Sequence, residues 1–353
     1  MNSSPNAPSA LLPPLVDAFR KIQDPRDPRG VRHDFQGMVI LIFLGLLARI
    51  SKIAHIQRWA KKHWHALYAP LGFQRMQPPD ETTFSRNLAR VDVQQFQDAF
   101  AEFLKRLLDE KTDSLTAAID GKVAKQMPDK NGDPLYMLNV FVHDIKVTLE
   151  QYSIRGDKTN EPGCFKKHLE KLFDTYPALK LLTGNAIFAQ RPLWEALQEH
   201  ECDYLFQIKE NQGKVLEQMT LVFADAPQQE PSDFQKLIRD HWQVETSLHF
   251  VKDRWWDEDR HYLERDGLGG TWIALTNAAL SVLRLVQVPG EPLTQTAENF
   301  HYSPRKALQI LGFNKGGMYF APPWPLRKIV KCLQNKRETH LWRLKSQTAV
   351  ILS

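Results

Sequence analysis

The sequence predicts an α/β protein whose middle part follows the order βββαβαβ, with a helical part on either side. Three strand-like runs separated by short polar turns occupy residues 115–119, 135–142 and 147–154. Helix, strand, helix and strand then alternate over residues 165–176, 179–182, 189–200 and 204–208. This order is the ribonuclease-H topology, and a further helix is expected at 211–224.

The flanking parts lack this alternation. Apolar residues at helical spacing predict an all-α N-terminal domain over residues 1–110. The ribonuclease-H-like core is placed at 114–286, with a shortened segment near 226–232. Residues 287–353 are expected to form a basic, helical C-terminal segment.

Composition limits the classes of protein and partner. The chain has 353 residues, 42% of them hydrophobic, and a formal net charge of +5, which is compatible with a polyanionic partner. Three separated cysteines argue against a disulfide framework or a cysteine-rich zinc site, and favour a reducing cytoplasm. The most apolar run, residues 38–48, is shorter than the roughly 20 residues of a membrane span, so no membrane association is expected.

Two neighbouring strand ends offer oxygen ligands. Asp120 follows the first predicted strand, and Asn185 lies just beyond the fourth. These strands lie side by side in a ribonuclease-H sheet, so the two side chains are expected to meet at its ligand-binding edge. An ordinary turn after a strand is the alternative explanation for Asp120 and Gly121.

A predicted helix offers a third ligand. Asp233 can cap a helix that runs through Lys252, and at about 100° per residue His241, Glu245 and Lys252 share a sector of about 40°. Glu245 would complete a metal site and Lys252 would hold a phosphate. A solvated Glu–Lys edge is the structural alternative. A zinc site of His241, Glu245 and His249 is a further one, but it lacks a fourth ligand.

Two strand ends and a helix with such ligands are the layout of a two-metal phosphoryl-transfer site, in which carboxylates hold two Mg²⁺ ions. The chain also resembles the DDE transposases of bacterial insertion sequences, in the group that includes the H-repeat-associated proteins. The resemblance covers nearly the whole chain. The matching segments are 24–33, 78–79, 82–86, 118–122, 158–161, 203–212, 241–245, 248–249 and 257–259.

The resemblance implies roles for individual residues. Asp120 would be the first metal-binding carboxylate and Glu245 the third, while Lys252 matches a lysine that follows the catalytic glutamate in many of these enzymes. Asn185 occupies the place of the second catalytic aspartate. The implied cofactor is Mg²⁺ or Mn²⁺, with binding weakened because the amide lacks the charge and second oxygen of a carboxylate.

Two further departures concern the third catalytic stretch. His241 and Ile238 stand where the family often has arginine and tyrosine. Asn185 and Glu245 are only 60 positions apart, whereas the family usually carries a longer β-rich segment between them. The chain therefore looks internally shortened at 226–232.

The C-terminal segment predicts a nucleic-acid partner. Residues 324–353 contain seven lysines or arginines and one acid, interleaved with apolar residues in the pattern of an amphipathic basic helix pair, although a basic, solvated helix remains the alternative. The residues assigned to DNA contact are Lys252, Lys336, Arg337, Arg343 and Lys345. The expected partner is double-stranded DNA, namely the ends of the insertion sequence if that element is intact. Formation of a homo-oligomer is a further expectation that the sequence leaves open.

The sequence thus predicts a DNA-binding, transposase-like protein whose two-metal strand cleavage and transfer are impaired by Asn185. A fully active transposase is the first alternative. A non-catalytic protein retained by the host to bind DNA or another protein is the second.

Overall fold

The computed structural model describes residues 15–109, 114–128, 131, 133–154, 160–209, 213, 217, 231–260, 263, 267–313 and 349–352. Most of the helix predicted at 211–224 and of the shortened segment at 226–232 lies outside the described residues. The same is true of Lys336, Arg337, Arg343 and Lys345, which were assigned to DNA contact.

The N-terminal part is helical, as predicted. Its helices are α1 (Val16–Arg20), α2 (Phe35–Leu47), α3 (Ile53–Leu67), α4 (Glu81–Leu88) and α5 (Val93–Asp109). Helix α2 is almost wholly buried and begins at Asp34, whose side chain accepts a hydrogen bond from the Gly37 amide. Gly45 lets α3 approach closely, since a Cβ there would lie 2.7 Å from the side chain of Ile56.

The sheet has the strand order of ribonuclease H. Its strands are β1 (Leu115–Pro128), β2 (Pro134–Val142), β3 (Val147–Ile154), β4 (Leu179–Gly184), β5 (Asp203–Ile208) and β6 (Ala349–Leu352). They lie in the order β3-β2-β1-β4-β5-β6. The β1–β2 and β2–β3 pairs are antiparallel, and β4 is parallel to both β1 and β5. The predicted ribonuclease-H-like core is therefore confirmed.

Strand β1 is longer than predicted. It continues through Asp120 to Pro128, because its second half pairs with β2 from Asp120 opposite Asn139 to Ala124 opposite Leu135. The turn proposed as an alternative at Asp120 and Gly121 is therefore absent. Asp120 is nevertheless the first residue beyond the last β1–β4 pair, Ile119 opposite Gly184.

Several helices pack against the sheet, and α5 is one of them. The later ones include α6 (Glu161–Thr175), α7 (Arg191–Glu199) and α10 (Leu268–Val286), with a 3-10 turn at Ala186–Phe188 after β4. Helix α10, which the sequence analysis missed, packs against α2, α5 and β3. It is long and apolar enough to cross a membrane, but 83% of its most apolar window is buried within the protein. Helix α10 packs against both the N-terminal helices and the sheet. The domain boundaries predicted at residues 110 and 286 therefore stay predictions.

The helix that carries Glu245 is not regular. It consists of α8 (Pro231–His241), a π-helical segment (Val244–His249) and α9 (Phe250–Trp256), and it ends at Asp257 with a positive φ of 51°. The helix begins at Pro231, before the predicted cap at Asp233. A π segment closes i to i+5 hydrogen bonds and changes the direction of the side chains that follow.

The C-terminal part differs from the predicted helical tail. Helices α11 (Leu293–Tyr302) and α12 (Pro304–Leu311) agree with it, but Ala349–Leu352 forms a strand parallel to β5. This short apolar run supplies backbone partners for the edge of β5, which explains why it is not helical.

Candidate metal centre

The adjoining ends of β1 and β4 bring Asp120 and Asn185 together. Asn185 follows the end of β4, and its side-chain Nδ2 donates a 2.9 Å hydrogen bond to Oδ1 of Asp120. Asp120 is buried, with 2% of its surface exposed. The close packing of the strands depends on Gly184, where a Cβ would lie 3.0 Å from the side chains of Ile119 and Phe206.

Glu245 and His249 approach Asp120 from the π segment. Nδ1 of His249 is 3.2 Å from Oε2 of Glu245 and 3.5 Å from Oδ2 of Asp120. One potential ligand atom from each of the three residues lies within 4.8 Å of the other two. The Glu245 side chain is 52% exposed, whereas that of His249 is 6% exposed, so the centre opens to solvent on the Glu245 side.

Buried amides surround the far side of the His249 ring. Its Nε2 is 3.4 Å from Nδ2 of Asn139, and Oδ1 of Asn139 accepts hydrogen bonds from Gln151 (2.9 Å) and Asn277 (3.1 Å). The sequence analysis missed all three amide residues. Asn139 is a single polar residue in an apolar stretch of β2, and that was the one sequence signal for it.

His241 lies beside the centre rather than in it. Its Nδ1 is 2.9 Å from Oγ1 of Thr183, which also lies 3.2 Å from Nε2 of His143. Burial lowers the pKa of His241 to about 4. The zinc set considered from the sequence is therefore wrong in one member, because Asp120 takes the place of His241.

Lys252 is buried and faces away from solvent. Only 2% of it is exposed, and its Nζ lies 2.7 Å from Oε2 of the equally buried Glu258. Burial lowers the pKa of Lys252, and the Glu258 carboxylate partly opposes this shift. His241, Glu245 and Lys252 differ in exposure, because the two flanking residues are buried while the Glu245 side chain, on the π segment, is 52% exposed.

A second ion-pair group fastens α9 to β1. The Nζ of Lys122, two residues after Asp120, contacts Asp253 and lies 3.9 Å from Asp259. Burial raises the pKa of the Asp253 carboxyl, and Lys122 opposes that shift. These contacts hold the helix that carries Glu245 against the strand that carries Asp120.

The donor set fits a divalent cation. Two carboxylates, one imidazole and the turned amide oxygen of Asn185 are oxygen and nitrogen ligands of the kind such ions take. A cation held there would stabilise negative charge that develops on a phosphate during cleavage of the backbone. The group at position 185 is an uncharged amide, so the carboxylates of this set are those of Asp120 and Glu245.

Two family models match the chain. A model described as DDE_Tnp_1-associated matches residues 16–104, and one described as Transposase DDE domain matches residues 111–281. "Putative transposase YncI" of Escherichia coli K12 is 26% identical over 203 residues, which are 57% of this chain and 79% of that protein. "H repeat-associated putative transposase YbfD" of the same strain is 23% identical over 248 residues, or 69% of this chain and 95% of that protein.

Among solved structures, a piggyBac transposase synaptic complex with hairpin DNA is similar with a TM-score of 0.42 and 11% identity. The match covers 91% of this chain and 81% of that one.

Proposed function

We propose that this chain, which belongs to the DDE transposase family of bacterial insertion sequences, binds DNA through a transposase-like architecture while its strand cleavage and strand transfer are impaired. The observation that carries the proposal is the hydrogen bond from Asn185 to Asp120. Asn185 occupies the position where the family has its second catalytic aspartate.

The amide changes the charge of the centre. Asp120 and Glu245 supply two negative charges, and an aspartate at 185 would supply a third. The Asn185 amide instead presents a hydrogen-bond donor to Asp120. To bind a cation, the amide must turn to present its oxygen and give up this bond. Binding of Mg²⁺ or Mn²⁺ is therefore proposed to be weak, and a closely spaced pair of ions poorly neutralised.

The centre's geometry supports the roles proposed for this chain's own residues. Asp120 and Glu245 are the proposed cation-binding carboxylates. The Lys122 contacts keep their two elements in register. The solvent-facing side chain of Glu245 marks the side from which a DNA backbone would enter.

Double-stranded DNA is the proposed partner, and the ends of the element are its preferred duplex if the element is intact. Contacts to phosphate are assigned to Lys336, Arg337, Arg343 and Lys345, which lie outside the described residues. The buried pairing of Lys252 with Glu258 supports a structural role for that lysine. The proposed compartment is the cytoplasm, in agreement with the free thiols of Cys164 and Cys202.

The shortened connection at 226–232 is the second proposed cause of weak activity. It leads almost directly into α8, which begins at Pro231. The family's longer segment at this place would supply additional surface for DNA. Removing such a segment costs the fold little, because loop-closure entropy changes slowly with length.

Binding and cleavage by the full chain test the proposal. Duplex DNA carrying the element's own ends should bind with a clear salt dependence, because basic residues displace counterions from phosphates. Alanine at positions 336, 337, 343 and 345 should reduce the slope of that dependence. Nicking by the unmodified protein with Mg²⁺ or Mn²⁺ should be barely detectable. Asn185→Asp should raise it, whereas Asn299→Asp, the same change on an exposed helix position, should not.

The alternatives give different results. Robust cleavage by the unmodified protein would establish a fully active transposase. Absence of duplex binding even at low salt would contradict both the impaired-transposase and the active-transposase hypotheses. It would leave a protein-binding role in the host.

A further inference from the structure

We infer that His249 supplies a nitrogen ligand to the cation centre, and that the buried side-chain amides of Asn139, Gln151 and Asn277 set which ring nitrogen faces the cation. These three residues are called the amide chain below. The inference rests on the proposed function only in taking the centre of Asp120 and Glu245 to bind a divalent cation. It adds the class of that cation: a transition-metal ion such as Co²⁺ or Mn²⁺ in preference to Mg²⁺.

The distances around His249 Nδ1 are close to those between ligands of one ion, and the three candidate ligand atoms lie within 4.8 Å of one another. Ligand atoms about 2.1 Å from an ion, at tetrahedral or octahedral angles, lie about 3.0 to 3.4 Å from each other. Nδ1 lies 3.2 Å from Oε2 of Glu245 and 3.5 Å from Oδ2 of Asp120. A small inward movement would place one ion between the three atoms.

In the structure without a cation, the hydrogen bonds of the amide chain determine which nitrogen of the His249 ring carries the proton. Oδ1 of Asn139 accepts hydrogen bonds from Gln151 and Asn277, so the donor Nδ2 of Asn139 is the atom that faces His249. Nε2 of the ring must then be the acceptor, and the ring proton lies on Nδ1, directed at the two carboxylates. This is the tautomer expected of the centre without a cation.

A cation requires the other tautomer. When Nδ1 binds a cation, the proton lies on Nε2 and needs an acceptor, which Asn139 provides if its amide turns over. Nδ2 of Asn139 then faces Gln151 and Asn277. Oε1 of Gln151 and Oδ1 of Asn277 are buried and make no hydrogen bond in the described structure, so both can accept once their own amides turn.

The amide chain therefore has two arrangements, and each keeps the hydrogen bonds of Asn139 to Gln151 and Asn277 and its contact with the His249 ring. Amide oxygen and nitrogen have nearly the same shape, so the turned arrangement fits the same space. Gln151 and Asn277 also line a small cavity between α5, β3 and α10, which gives their amides room to rotate. One arrangement serves the cation-free centre, and the other supports imidazole ligation.

The ligand chemistry decides the cation class. Carboxylate and carbonyl oxygens suit both Mg²⁺ and Mn²⁺, whereas an imidazole suits the later transition metals, and affinity for a mixed nitrogen and oxygen site rises from Mn²⁺ to Co²⁺. Asn185 removes one negative oxygen ligand from the centre, and His249 adds a neutral nitrogen. Both differences reduce the preference for Mg²⁺.

Pulsed electron paramagnetic resonance of Mn²⁺ bound to the full chain tests the inference directly. The spectrum should show coupling to an imidazole nitrogen, and labelling the histidines with ¹⁵N should change that coupling. His249→Asn should abolish it and weaken Mn²⁺ and Co²⁺ binding by about tenfold or more, with a smaller effect on Mg²⁺. His241→Asn is the matched control, since His241 is also buried beside the centre, and the coupling should persist there.

Asn139→Asp tests the amide chain separately. A carboxylate can accept from Nε2 with one oxygen and from Gln151 and Asn277 with the other, so it fixes the tautomer that binds a cation. Mn²⁺ affinity should rise severalfold, with the nitrogen coupling unchanged. A fall in affinity in this folded variant would overturn the role of the amide chain.

The outcomes separate this inference from the proposed function. Mn²⁺ that binds without nitrogen coupling would overturn the ligand role of His249 and leave the proposed function standing. A chain that binds no divalent cation would overturn the cation centre and with it this inference, whereas the proposed DNA binding would still be decided by duplex titration. If His249→Asn fails to fold, the wild-type and ¹⁵N-labelled spectra with the His241→Asn control still decide the question.

Discussion

The side-chain amide of Asn185 donates a 2.9 Å hydrogen bond to Oδ1 of Asp120 where β1 and β4 end their parallel pairing. The donor partly satisfies the buried carboxylate without a cation. A neutral amide therefore lies beside the buried Asp120, where it adds a hydrogen-bond donor and no charge. This relationship predicts weak cation binding.

Glu245→Gln should separate cation binding from stability. The Glu245 side chain is 52% exposed, so removing its charge should change the free energy of unfolding by about 0.5 kcal/mol or less. Affinity for Mn²⁺ should fall because one of two carboxylate ligands is lost. Thermal unfolding and Mn²⁺ titration measure the two effects, with Glu298→Gln as a control on α11. A large loss of stability would identify Glu245 as part of a structural network instead.

Lys252→Met should destabilise the fold strongly. The change leaves the Glu258 carboxylate buried without its cation, and breaking a buried pair costs about 3–5 kcal/mol. The double variant Lys252→Met with Glu258→Gln should recover much of the loss in urea unfolding. Arg106→Met, which breaks the exposed pair with Glu102, is the control and should cost about 1 kcal/mol or less. An equally small effect at Lys252 would favour a position open to DNA.

Glu150 should make stability depend on pH. Burial raises the pKa of this β3 carboxyl from 4.5 to about 7. The folded state then holds a proton that the unfolded state releases between these values. The stability contributed by protonated Glu150 is present below pH 4.5 and is lost as the pH rises to 7, by up to about 3 kcal/mol.

Glu150→Gln should remove this loss. In urea unfolding, the free energy of unfolding of the variant minus that of the wild type should be larger at pH 8 than at pH 5. Buried His241 acts in the opposite direction, because its pKa is lowered to about 4, so the two proteins are compared at each pH. Equal differences at the two pH values would show that Glu150 ionises normally in the folded protein.

The core topology was predictable because its signals are local. Alternating apolar residues, polar turns and helical spacing gave the order βββαβαβ, and that order determined which strands are neighbours. The same reasoning missed the full length of β1, since its second half is stabilised by pairing with β2 rather than by a strong pattern of its own. Helix α10 was missed because its apolar residues surround it without a clear stripe.

The candidate site was predictable in part. Asp120 and Asn185 were expected to meet because β1 and β4 are neighbours. The orientation around Glu245 was not predictable from a constant 100° per residue, because the π segment interrupts the helix. Asn139, Gln151 and Asn277 converge only through the β2–β3 register and the packing of α10, and neither is visible in the sequence.

Titration of the metal-free chain with Mg²⁺ and Mn²⁺, with and without Asn185→Asp, tests the central claim most directly. Without metal, Asn185→Asp should lower the melting temperature, because two carboxylates replace a hydrogen bond. The same variant should bind Mg²⁺ and Mn²⁺ about tenfold more tightly, or by about 1.4 kcal/mol, and regain its stability when they are added. Asn299→Asp should do neither. Unchanged affinity and unchanged metal-free stability in Asn185→Asp would contradict the claim that residues 120 and 185 share one cation centre.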